Sequence, residues 1–449
     1  MSTTEADLTT TVDGTPLPWH LQGNYGPVEL EVDADDLEVE GVIPAGLDGT
    51  YLRNGFNPRT GWSDHWFFGH GMVHRVDIAE GKASYRNRYV RTRFYERGSA
   101  QLSLDPLDSP ANTHVLAHAG RVFALEEAHL PYEITPDLET VGVADFGGAV
   151  TGAFTAHPKI CPVTGEMLAF GYNPVGPEYL RYYRFSADGE LVQSEPITLP
   201  AGVMMHDFNI TEHHVVWMDL PVVFDLAKAM EGQTPFNWTP ENGARLGVMP
   251  RDGGDADVRW FDIDPCYVFH PVNSHEEGDR IILTVCRADR AMAAGFDDIS
   301  AKASLYRWTI DLAAGTVTEE LLDERKSDFA RVDDRLVGLP ARYGYTMALG
   351  DNPDNPEMGH EVYKYDLVTG VPEIHHMGAV RGGEPVFVPR TPDAGEDDGW
   401  VLLFAYDPEA DRGELRIIDA RNFGGPPVAR VFTPQRVPYG AHGSWLPRG

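Results

Sequence analysis

The sequence contains little cysteine. Cys161, Cys266 and Cys286 are the only three among 449 residues, and no two of them have CxxC spacing. An odd, scattered set does not make a disulfide framework and lacks the paired spacing of a cysteine zinc site. The signatures GxSxG, GxxxxGKS/T and HExxH are also absent. A serine-hydrolase elbow, a P-loop and a zincin helix are therefore not expected.

Long apolar runs are absent as well. No stretch approaches the ~18 consecutive apolar residues that indicate a transmembrane helix. The segment MSTTEADLTTTVDG has neither the basic region nor the apolar region of a secretory signal. Together with the scarcity of cysteine, these absences favour a cytoplasmic protein as the default expectation.

Positive charge is scarce. Lysine and arginine number 36 against 69 acidic residues, which gives a formal net charge of −33. Such a surface repels phosphate backbones, so we expect no nucleic-acid partner. The simplest consequence of the acidic excess is solubility.

Short apolar runs alternate with turn signals from Gly26 almost to the end of the sequence. RVFALEE, EMLAFGY, DRIILTVCRA and GWVLLFAYD are typical of strands, and SADGEL and LAAGTV are typical of hairpin turns. Many short strands in a chain of this length favour a closed all-β architecture, and a propeller removes exposed sheet edges. At roughly 60 residues for one blade with its loops, about seven blades fit. The fold predicted from this pattern is a seven-bladed β-propeller.

The domain organisation follows from the same pattern. Residues 1–25 are predicted to be a polar N-terminal arm, and residues 26–449 a single domain, because no linker rich in Ser, Gly or Pro interrupts them. One segment departs from the strand pattern. VVFDLAKAMEGQTPFNW has helical spacing over Phe224 to Met230 before Gly and Pro break it, and it predicts a short helix inserted on one face.

Four of the 17 histidines share a local setting of small or apolar neighbours close to a strand. They are His157 in AHPKI, His206 in MMHDFNIT, His270 in YVFHPVNS and His442 in YGAHGSW. Their successive spacings are 49, 64 and 172 residues, roughly one, one and three blades. A buried imidazole needs a partner for each ring nitrogen. Four strands of a propeller could therefore direct these imidazoles at a common axis.

These four segments resemble the iron-binding histidine motifs of the carotenoid cleavage oxygenase family in order and spacing. The resemblance extends over nearly the whole chain and includes IPAGLDGTYLRNGFNP, HWFFGHGMVHRVDI, NRYVRT, RYGY and GEPVFVPR. It implies a seven-bladed propeller capped by a helical dome, with Fe(II) held by the four histidines and two adjacent metal positions open. The implied reaction is O2-dependent cleavage of one carbon–carbon double bond in an apolar conjugated substrate to two carbonyl products.

The resemblance also implies carboxylates that orient three of the four histidines. Such carboxylates accept the free N–H of a metal-bound imidazole and fix its tautomer. Glu127 and Glu384 match the family outright. The third position holds Asp328 where the family usually has Glu, and because aspartate is one methylene shorter, either a closer backbone or a bridging water is expected.

Substrate choice is the open part of the resemblance. Stilbene-cleaving members carry a lysine directly before the first orienting glutamate, and here that position is Glu126. An acid there would repel a phenolate, so a carotenoid or apocarotenoid substrate is favoured over a stilbene. Tyr89 matches a second phenol contact of the stilbene cleavers, but tyrosine is common at that place in carotenoid cleavers too. Ala441 stands where the family often has Phe and is expected to widen the pocket near the iron.

Other functional classes remain as alternatives. A non-catalytic propeller that binds a metal or partner would be favoured by loss of a ligand histidine, and none is lost. A hydrolytic propeller normally holds Ca²⁺ through oxygen ligands, which four histidines do not resemble. His65, His70 and His74 form a second cluster in sequence, but their segment matches a structural hairpin of the family. An apolar substrate also makes a transient contact with a membrane surface conceivable, whereas nothing in the sequence indicates an oligomeric state.

Overall fold

The structure of the protein, a computed structural model, describes residues 16–98, 103, 105–231, 235–294, 298, 302–350 and 358–448. In these residues the chain is almost entirely β, as predicted, and its two α-helices have five residues each, α1 (Arg93–Arg97) and α2 (Leu226–Met230). Single turns of 3₁₀ helix cover Trp19–Leu21, Gly23–Tyr25, Trp66–Phe68, Pro240–Asn242, Asp255–Asp257, Asp334–Leu336 and Ala420–Asn422.

The strands are short and β-branched or aromatic-rich, as the turn-bounded apolar runs predict. In the first half of the chain they are β1 Asp33–Ala34, β2 Val39–Gly41, β3 Gly49–Phe56, β4 Gly71–Ala79, β5 Lys82–Tyr89, β6 His114–His118, β7 Arg121–Leu125, β8 Tyr132–Ile134, β9 Thr140–Val143, β10 Lys159–Ile160, β11 Met167–Tyr172, β12 Leu180–Phe185, β13 Leu191–Ile197, β14 Asn209–Ile210, β15 His214–Asp219 and β16 Val222–Phe224.

The second half continues in the same way, with one long strand of 17 residues, β23. Its strands are β17 Phe236–Trp238, β18 Ala244–Pro250, β19 Arg259–Ile263, β20 Tyr267–Glu277, β21 Arg280–Ala288, β22 Ser304–Asp311, β23 Thr316–Val332, β24 Tyr343–Leu349, β25 Met358–Asp366, β26 Pro372–His376, β27 Val386–Pro389, β28 Gly399–Asp407, β29 Arg412–Asp419, β30 Ala429–Phe432 and β31 Gly443–Pro447.

Seven antiparallel sheets result from hydrogen bonding mostly between consecutive strands of the described chain. Their strand orders are β1-β5-β4-β3-β31, β6-β7-β8-β9, β10-β11-β12-β13, β14-β15-β18-β19, β16-β17, β20-β21-β22-β23-β24-β25-β26 and β2-β30-β29-β28-β27. Hairpin connections explain the consecutive order, because two antiparallel strands need only a short turn between them.

Two sheets join the beginning of the described chain to its end. β31 pairs with β3, from Gly49 opposite Pro447 to Arg53 opposite Gly443. β2 pairs with β30, from Val39 opposite Val431 to Gly41 opposite Ala429. The pairing satisfies backbone groups that would otherwise lie on open sheet edges.

The hydrophobic core lies between neighbouring sheets. Its largest cluster joins side chains from the sheets that begin with β10, β14 and β20, and the Trp217 ring stacks on Phe208 at a centroid distance of 5.6 Å. Trp217, Trp308 and Trp400 are among the largest fully buried side chains. Interdigitation of these faces fixes the sheets relative to each other, since cores pack at nearly crystalline density.

The inserted helix differs from its prediction at its start. Phe224 ends β16, and the helix begins only at Leu226, because the Asp225 carboxylate accepts hydrogen bonds from the backbone N–H groups of Ala227 and Lys228. An aspartate in this N-cap position satisfies N–H groups that the helix itself leaves unpaired. The helix lies between β16 and β17, whose pairing forms the separate two-stranded sheet.

Candidate metal centre

The four predicted histidines occupy equivalent places in four different sheets. His157, His206 and His442 each lie one to three residues before β10, β14 and β31, and His270 lies near the start of β20. Each of these strands is the outermost strand of its sheet. In β20 the pairing register shifts between Val268 and Pro271, so the ladder is broken around His270.

The structure brings all four imidazoles together. Their Nε2 atoms are separated by 3.0 Å between His157 and His206, 3.4 Å between His206 and His270, and 3.1 Å between His270 and His442. One ring nitrogen from each histidine lies within 4.8 Å of the others. In the described chain this is the one group of three or more His, Cys, Asp or Glu side chains found with the geometry of a metal site.

Carboxylates contact the opposite ring nitrogen of three of these histidines. Nδ1 of His206 donates to Glu127 at 2.7 Å, and Nδ1 of His270 donates to Asp328 at 2.9 Å. Nδ1 of His442 donates to Glu384 at 2.8 Å. The three acids that the resemblance implied thus each lie on a different histidine, and Asp328 reaches its partner directly without a bridging water.

The hydrogen bonds to the carboxylates assign the imidazole tautomers. An ionised carboxylate only accepts, so Nδ1 carries the proton and a neutral ring presents a lone pair on Nε2. Lone pairs converging at 3.0–3.4 Å repel each other unless a cation lies between them. Metal–imidazole distances of about 2.0–2.1 Å at right angles would separate the nitrogens by about 3 Å. The donor set therefore fits a first-row divalent metal ion.

Burial keeps two of these imidazoles neutral. It lowers the pKa of His157 well below its ordinary value, and it lowers the pKa of His442 to about 3. Burial also favours the neutral form of His270, but the charge of Asp328 outweighs it and raises the pKa of that ring. For Glu384, burial alone would raise the pKa, yet the Arg331 guanidinium and His442 hold it below its ordinary value.

Each orienting carboxylate is itself held by a further group. The Tyr172 hydroxyl donates to Glu127 at 2.8 Å. The backbone N–H of Phe329 donates to Asp328 at 2.9 Å. Glu384 accepts from the backbone N–H of Gly443 at 2.8 Å and from Arg331 at 3.2 Å. Such outer partners fix the carboxylates and, through them, the ring planes of the histidines.

A fourth acid lies beside the remaining histidine, and neither spacing nor the resemblance indicated it. Oδ2 of Asp207 is 3.6 Å from Nδ1 of His157, and its Oδ1 is 2.7 Å from the Lys159 ammonium. The position of Asp207 directly after His206 is the signal that could have drawn attention to it.

A fifth histidine was also missed. His114 begins β6, the outermost strand of its sheet, just as the other four lie at the starts of outermost strands. Its ring centroid is 5.5 Å from that of His442 and 6.1 Å from that of His157. Its Nδ1 donates to the Ala156 carbonyl at 2.8 Å, while its Nε2 is buried without a hydrogen-bond partner. Burial lowers its pKa to about 4, so the ring is neutral.

An apolar cavity of about 110 Å³ adjoins the cluster on one side. Aromatic and aliphatic side chains dominate its wall: Phe56, Trp66, Phe67, Phe269, Phe329, Leu349, Met358 and Ala441. Its polar lining consists of Thr113, Lys302 and Asp328 together with His206, His270 and His442. Such a mixture of apolar walls and few polar groups is typical of a small-molecule site.

A second, more polar cavity of about 270 Å³ also reaches the cluster. His157, His270 and His442 line it together with the charged side chains of Lys159, Asp207, Arg331, Asp334 and Glu384. His270 and His442 line both cavities, so the histidine cluster stands between an apolar space and a polar one.

Of the three substrate residues carried over from the resemblance, the structure brings only Ala441 to the apolar cavity. The Glu126 carboxylate accepts from Nδ1 of His129 at 2.5 Å and from the backbone N–H of Ala128 at 3.0 Å. The Tyr89 hydroxyl accepts from Asn57 at 2.5 Å, and its ring packs in the core. Neither Glu126 nor Tyr89 is among the residues that line this cavity.

The other histidine cluster in sequence does not converge. Nδ1 of His65 accepts from the Phe67 backbone N–H, Nδ1 of His70 accepts from the Arg59 backbone N–H, and Nδ1 of His74 contacts the Tyr85 hydroxyl. Met204 and Met205, which precede His206, are buried in the hydrophobic core.

The chain is similar to known proteins over nearly its whole length. The family model described as retinal pigment epithelial membrane protein matches residues 25–447. A carotenoid cleavage oxygenase of Mycobacterium tuberculosis is 38% identical over 95% of this chain and 97% of its own length. The crystal structure of the lignostilbene dioxygenase of Pseudomonas brassicacearum aligns with a TM-score of 0.87 and 30% identity over 96% of this chain and all of that chain. The structure of a variant of the apocarotenoid oxygenase of Synechocystis aligns with a TM-score of 0.85 and 27% identity. The alignment covers 95% of this chain and 98% of that chain.

Proposed function

We propose that the four clustered histidines hold one Fe(II), because the chain belongs to the carotenoid cleavage oxygenase family. The matching family model, retinal pigment epithelial membrane protein, represents that family. The chain is a dioxygenase of that family that cleaves a carbon–carbon double bond of an apolar conjugated substrate. The observation that carries the proposal is the convergence of the four Nε2 atoms, while Nδ1 of three of the rings is hydrogen-bonded to a carboxylate.

The choice of iron rests on the family, since histidine ligands alone suit several first-row metals. The site contributes no carboxylate to the four-nitrogen group, so the ion would keep its double positive charge beside an apolar cavity. That combination suits a neutral oxidant and a neutral alkene, because neither brings a charge to be desolvated. When bound, Fe(II) supplies the binding and activation of O2.

The residues of the chain then have three tasks. Glu127, Asp328 and Glu384 hold the imidazoles in the protonation state that leaves Nε2 free to bind metal. The aromatic wall of the apolar cavity binds the conjugated chain and excludes water from the reacting bond. The overall change adds one oxygen atom of O2 to each carbon of the double bond, which breaks as two carbonyl groups form. No step requires a side chain as general acid or base.

The seven-bladed propeller is part of the same proposal. The seven-stranded sheet divides at β23 into two groups, β20–β23 and β23–β26, and five further sheets of four or five strands complete a set of seven. The pairing of β31 with β3 and of β2 with β30 supports a closed arrangement, with a dome of loops and short helices over the metal. The domain proposal stays as residues 1–25 for an arm and 26–449 for one domain. Trp19 and Tyr25 of the arm contact each other and Trp66 edge to face.

For the substrate we propose a carotenoid or apocarotenoid. An apolar chain needs no charged anchor, because its binding comes from buried area at ~25 cal/mol per Å². The residue directly before Glu127 is Glu126 and not a lysine. The Glu126 carboxylate is hydrogen-bonded to His129. Ala441 remains as the proposed residue that widens the cavity near the metal.

A phenolic stilbene is the second candidate substrate. One observation favours it: Lys302 lines the apolar cavity together with three of the four histidines. An ammonium group in a largely apolar wall would stabilise a phenolate more strongly than it could in water. A metal-binding propeller without catalysis is the alternative from another class.

Because the proposed substrate is apolar, we propose that the protein docks transiently on a membrane surface. Helix α2 exposes two apolar side chains, Leu226 and Met230, the latter 82% exposed. Large exposed apolar groups near each other are typical of contact sites. No helix in the described residues is long and apolar enough to cross a membrane.

Metal analysis combined with product analysis tests the proposal. Purified protein should contain about one iron per chain and, with O2, should convert an apocarotenal into two carbonyl products that mass spectrometry identifies. Metal without product from any carotenoid, apocarotenal or stilbene would favour the non-catalytic alternative. Calcium in place of iron would exclude the four-histidine iron site.

A further inference from the structure

The environment of His157 differs from that of the other three clustered histidines. Its Nδ1 has Asp207 beside it at 3.6 Å, longer than a normal hydrogen bond. Asp207 is 3% exposed, and its second oxygen contacts Lys159 at 2.7 Å and accepts from the Phe208 backbone N–H at 2.7 Å. Lys159 follows His157 by two residues, and Asp207 follows His206 directly, so two histidine motifs supply this pair.

The four acids beside the histidines fall into two classes according to their own partners. Glu127 accepts from a tyrosine hydroxyl and Asp328 from a backbone N–H, both neutral donors. Glu384 faces the guanidinium of Arg331, and Asp207 faces the ammonium of Lys159. Three clustered histidines line the polar cavity, and of these His157 and His442 have cation-paired acids while His270 does not.

We propose that Asp207 is a positioning residue for His157, that Lys159 holds Asp207 in place, and that all four imidazoles are therefore oriented by carboxylates. The inference rests on the proposed four-histidine metal site and goes beyond the three carboxylates of the resemblance. In the metal-bound protein Nδ1–H of His157 donates to Oδ2 of Asp207, which fixes the ring plane and leaves Nε2 for the metal.

Lys159 has a separate consequence for the metal. A carboxylate that accepts from an imidazole increases the basicity of that ligand, and a cation on the same carboxylate reduces this effect. His157 and His442 are therefore weaker electron donors than His206 and His270. Lys159 also prevents Asp207 from being a buried charge without a counterion, which would destabilise the fold.

The competing explanation is that Asp207 serves only the fold, as the partner of Lys159. Two variants separate these roles. Asp207→Asn removes the carboxylate but leaves the Lys159 charge unpaired, whereas the double variant Asp207→Asn with Lys159→Met removes both charges and restores the local balance. Asp219→Asn is the matched control, because Asp219 is also buried and bonded to a cation, Arg245 at 2.8 Å, but does not line either cavity.

The experiment measures binding of Co(II) to metal-free full-length protein by its visible absorption, with unfolding of each variant followed in parallel. Both Asp207 variants should bind Co(II) about 10–100-fold more weakly than the wild type and shift its absorption bands. Asp219→Asn should lose stability but keep the affinity and the bands. In the Co(II)-loaded wild type, a crystal structure should give a distance of about 2.7–3.2 Å between Nδ1 of His157 and Oδ2 of Asp207.

If the double variant kept the wild-type Co(II) affinity and absorption bands, the role of Asp207 would be refuted but the four-histidine site would stand. A crystal distance above about 3.5 Å between Nδ1 of His157 and Oδ2 of Asp207, without a bridging water, would have the same consequence. If the variants failed to fold, that crystal distance would decide. A wild-type protein that binds neither Co(II) nor Fe(II) would overturn the four-histidine site itself, and this inference with it.

Discussion

The Asp328 carboxylate lies 2.9 Å from Nδ1 of His270, although aspartate is a methylene shorter than the glutamate usual at this position in the family. The backbone makes up the difference. The pairing of β23 with β24 shifts register between Asp328 and Arg331, and Phe329 between them has a φ of +55°. A bulge re-aims a side chain, and a bulky residue at positive φ is a strained conformation of the kind found at functional sites.

The first prediction concerns Asp328. Asp328→Asn should weaken Fe(II) binding by about 10–100-fold, because an amide cannot accept from Nδ1 as strongly as a carboxylate does. Anaerobic iron titration measures the change. Glu276→Gln is the control, since Glu276 also accepts from histidines, His213 and His214, but is not part of the cluster. Equal affinity in Asp328→Asn and wild type would refute the role of this carboxylate.

The second prediction compares the two glutamates. Glu127→Gln and Glu384→Gln should each reduce iron affinity or activity by about 10–100-fold. Glu384→Gln should be the less stable of the two, because it removes one of the two carboxylates that pair with the largely buried Arg331 guanidinium and leaves only Asp334. Iron content and urea unfolding of both variants provide the comparison, and a larger stability loss in Glu127→Gln would contradict it.

The third prediction is the effect of pH on the stability of the metal-free protein. Burial, with the charges of Arg59 and Arg97, lowers the pKa of His70 from 6.5 to about 4. The unfolded chain therefore binds one proton more than the folded chain between these values, and stability falls as pH falls from about 6.5 towards 4. At pH 5 the loss from this group should be about 1–2 kcal/mol relative to pH 7.

Urea unfolding at pH 7, 6 and 5 measures this loss, with His70→Gln as the comparison. The variant lacks the titrating group, so its stability should fall less steeply over this range even if it is less stable at pH 7. Parallel curves for the two proteins would assign the acid sensitivity to other groups.

The fourth prediction concerns substrate. The wild type should cleave an apocarotenal with a higher kcat/KM than resveratrol, since the apolar wall favours a long polyene. Lys302→Met should leave apocarotenal cleavage largely unchanged and should lower any cleavage of resveratrol, because it removes the cation from the cavity. Efficient cleavage of resveratrol by the wild type, with no apocarotenal activity, would reverse the proposed order of substrates.

The fifth prediction concerns Glu126, which does not line the apolar cavity. Because its carboxylate is buried and bonded to His129, Glu126→Lys should destabilise the protein by burying an ammonium group without a counterion, and it should not raise turnover of resveratrol. Burial alone would lower the pKa of His129, but the charge of Glu126 raises it. Higher resveratrol turnover in Glu126→Lys would contradict this prediction and place position 126 at the substrate.

The sequence allowed prediction of the all-β class and of the four histidines because both leave local signals, turn-bounded apolar runs and recurring motif contexts. The convergence of the histidines depends on long-range strand order, which the resemblance supplied and spacing only suggested. Asp207 offered only its position directly after His206, and His114 offered no motif context, because their proximity to the cluster arises from neighbouring sheets. At Glu126 and Tyr89 a matching position in sequence gave no information about the direction of the side chain, and both hydrogen-bond to neighbouring residues without lining the apolar cavity.

The pairing of β31 with β3 ties the assembly of the site to the order of synthesis. His442 precedes β31 directly, and β31 can form hydrogen bonds only to a strand made nearly 400 residues earlier. A nascent chain on the ribosome can therefore gather three of the histidines but cannot complete the set until its last strand has emerged. Premature termination before His442 would remove one of the four clustered histidines and a sheet edge in a single event, so that unfinished chains would have an incomplete cluster and an open edge prone to aggregation.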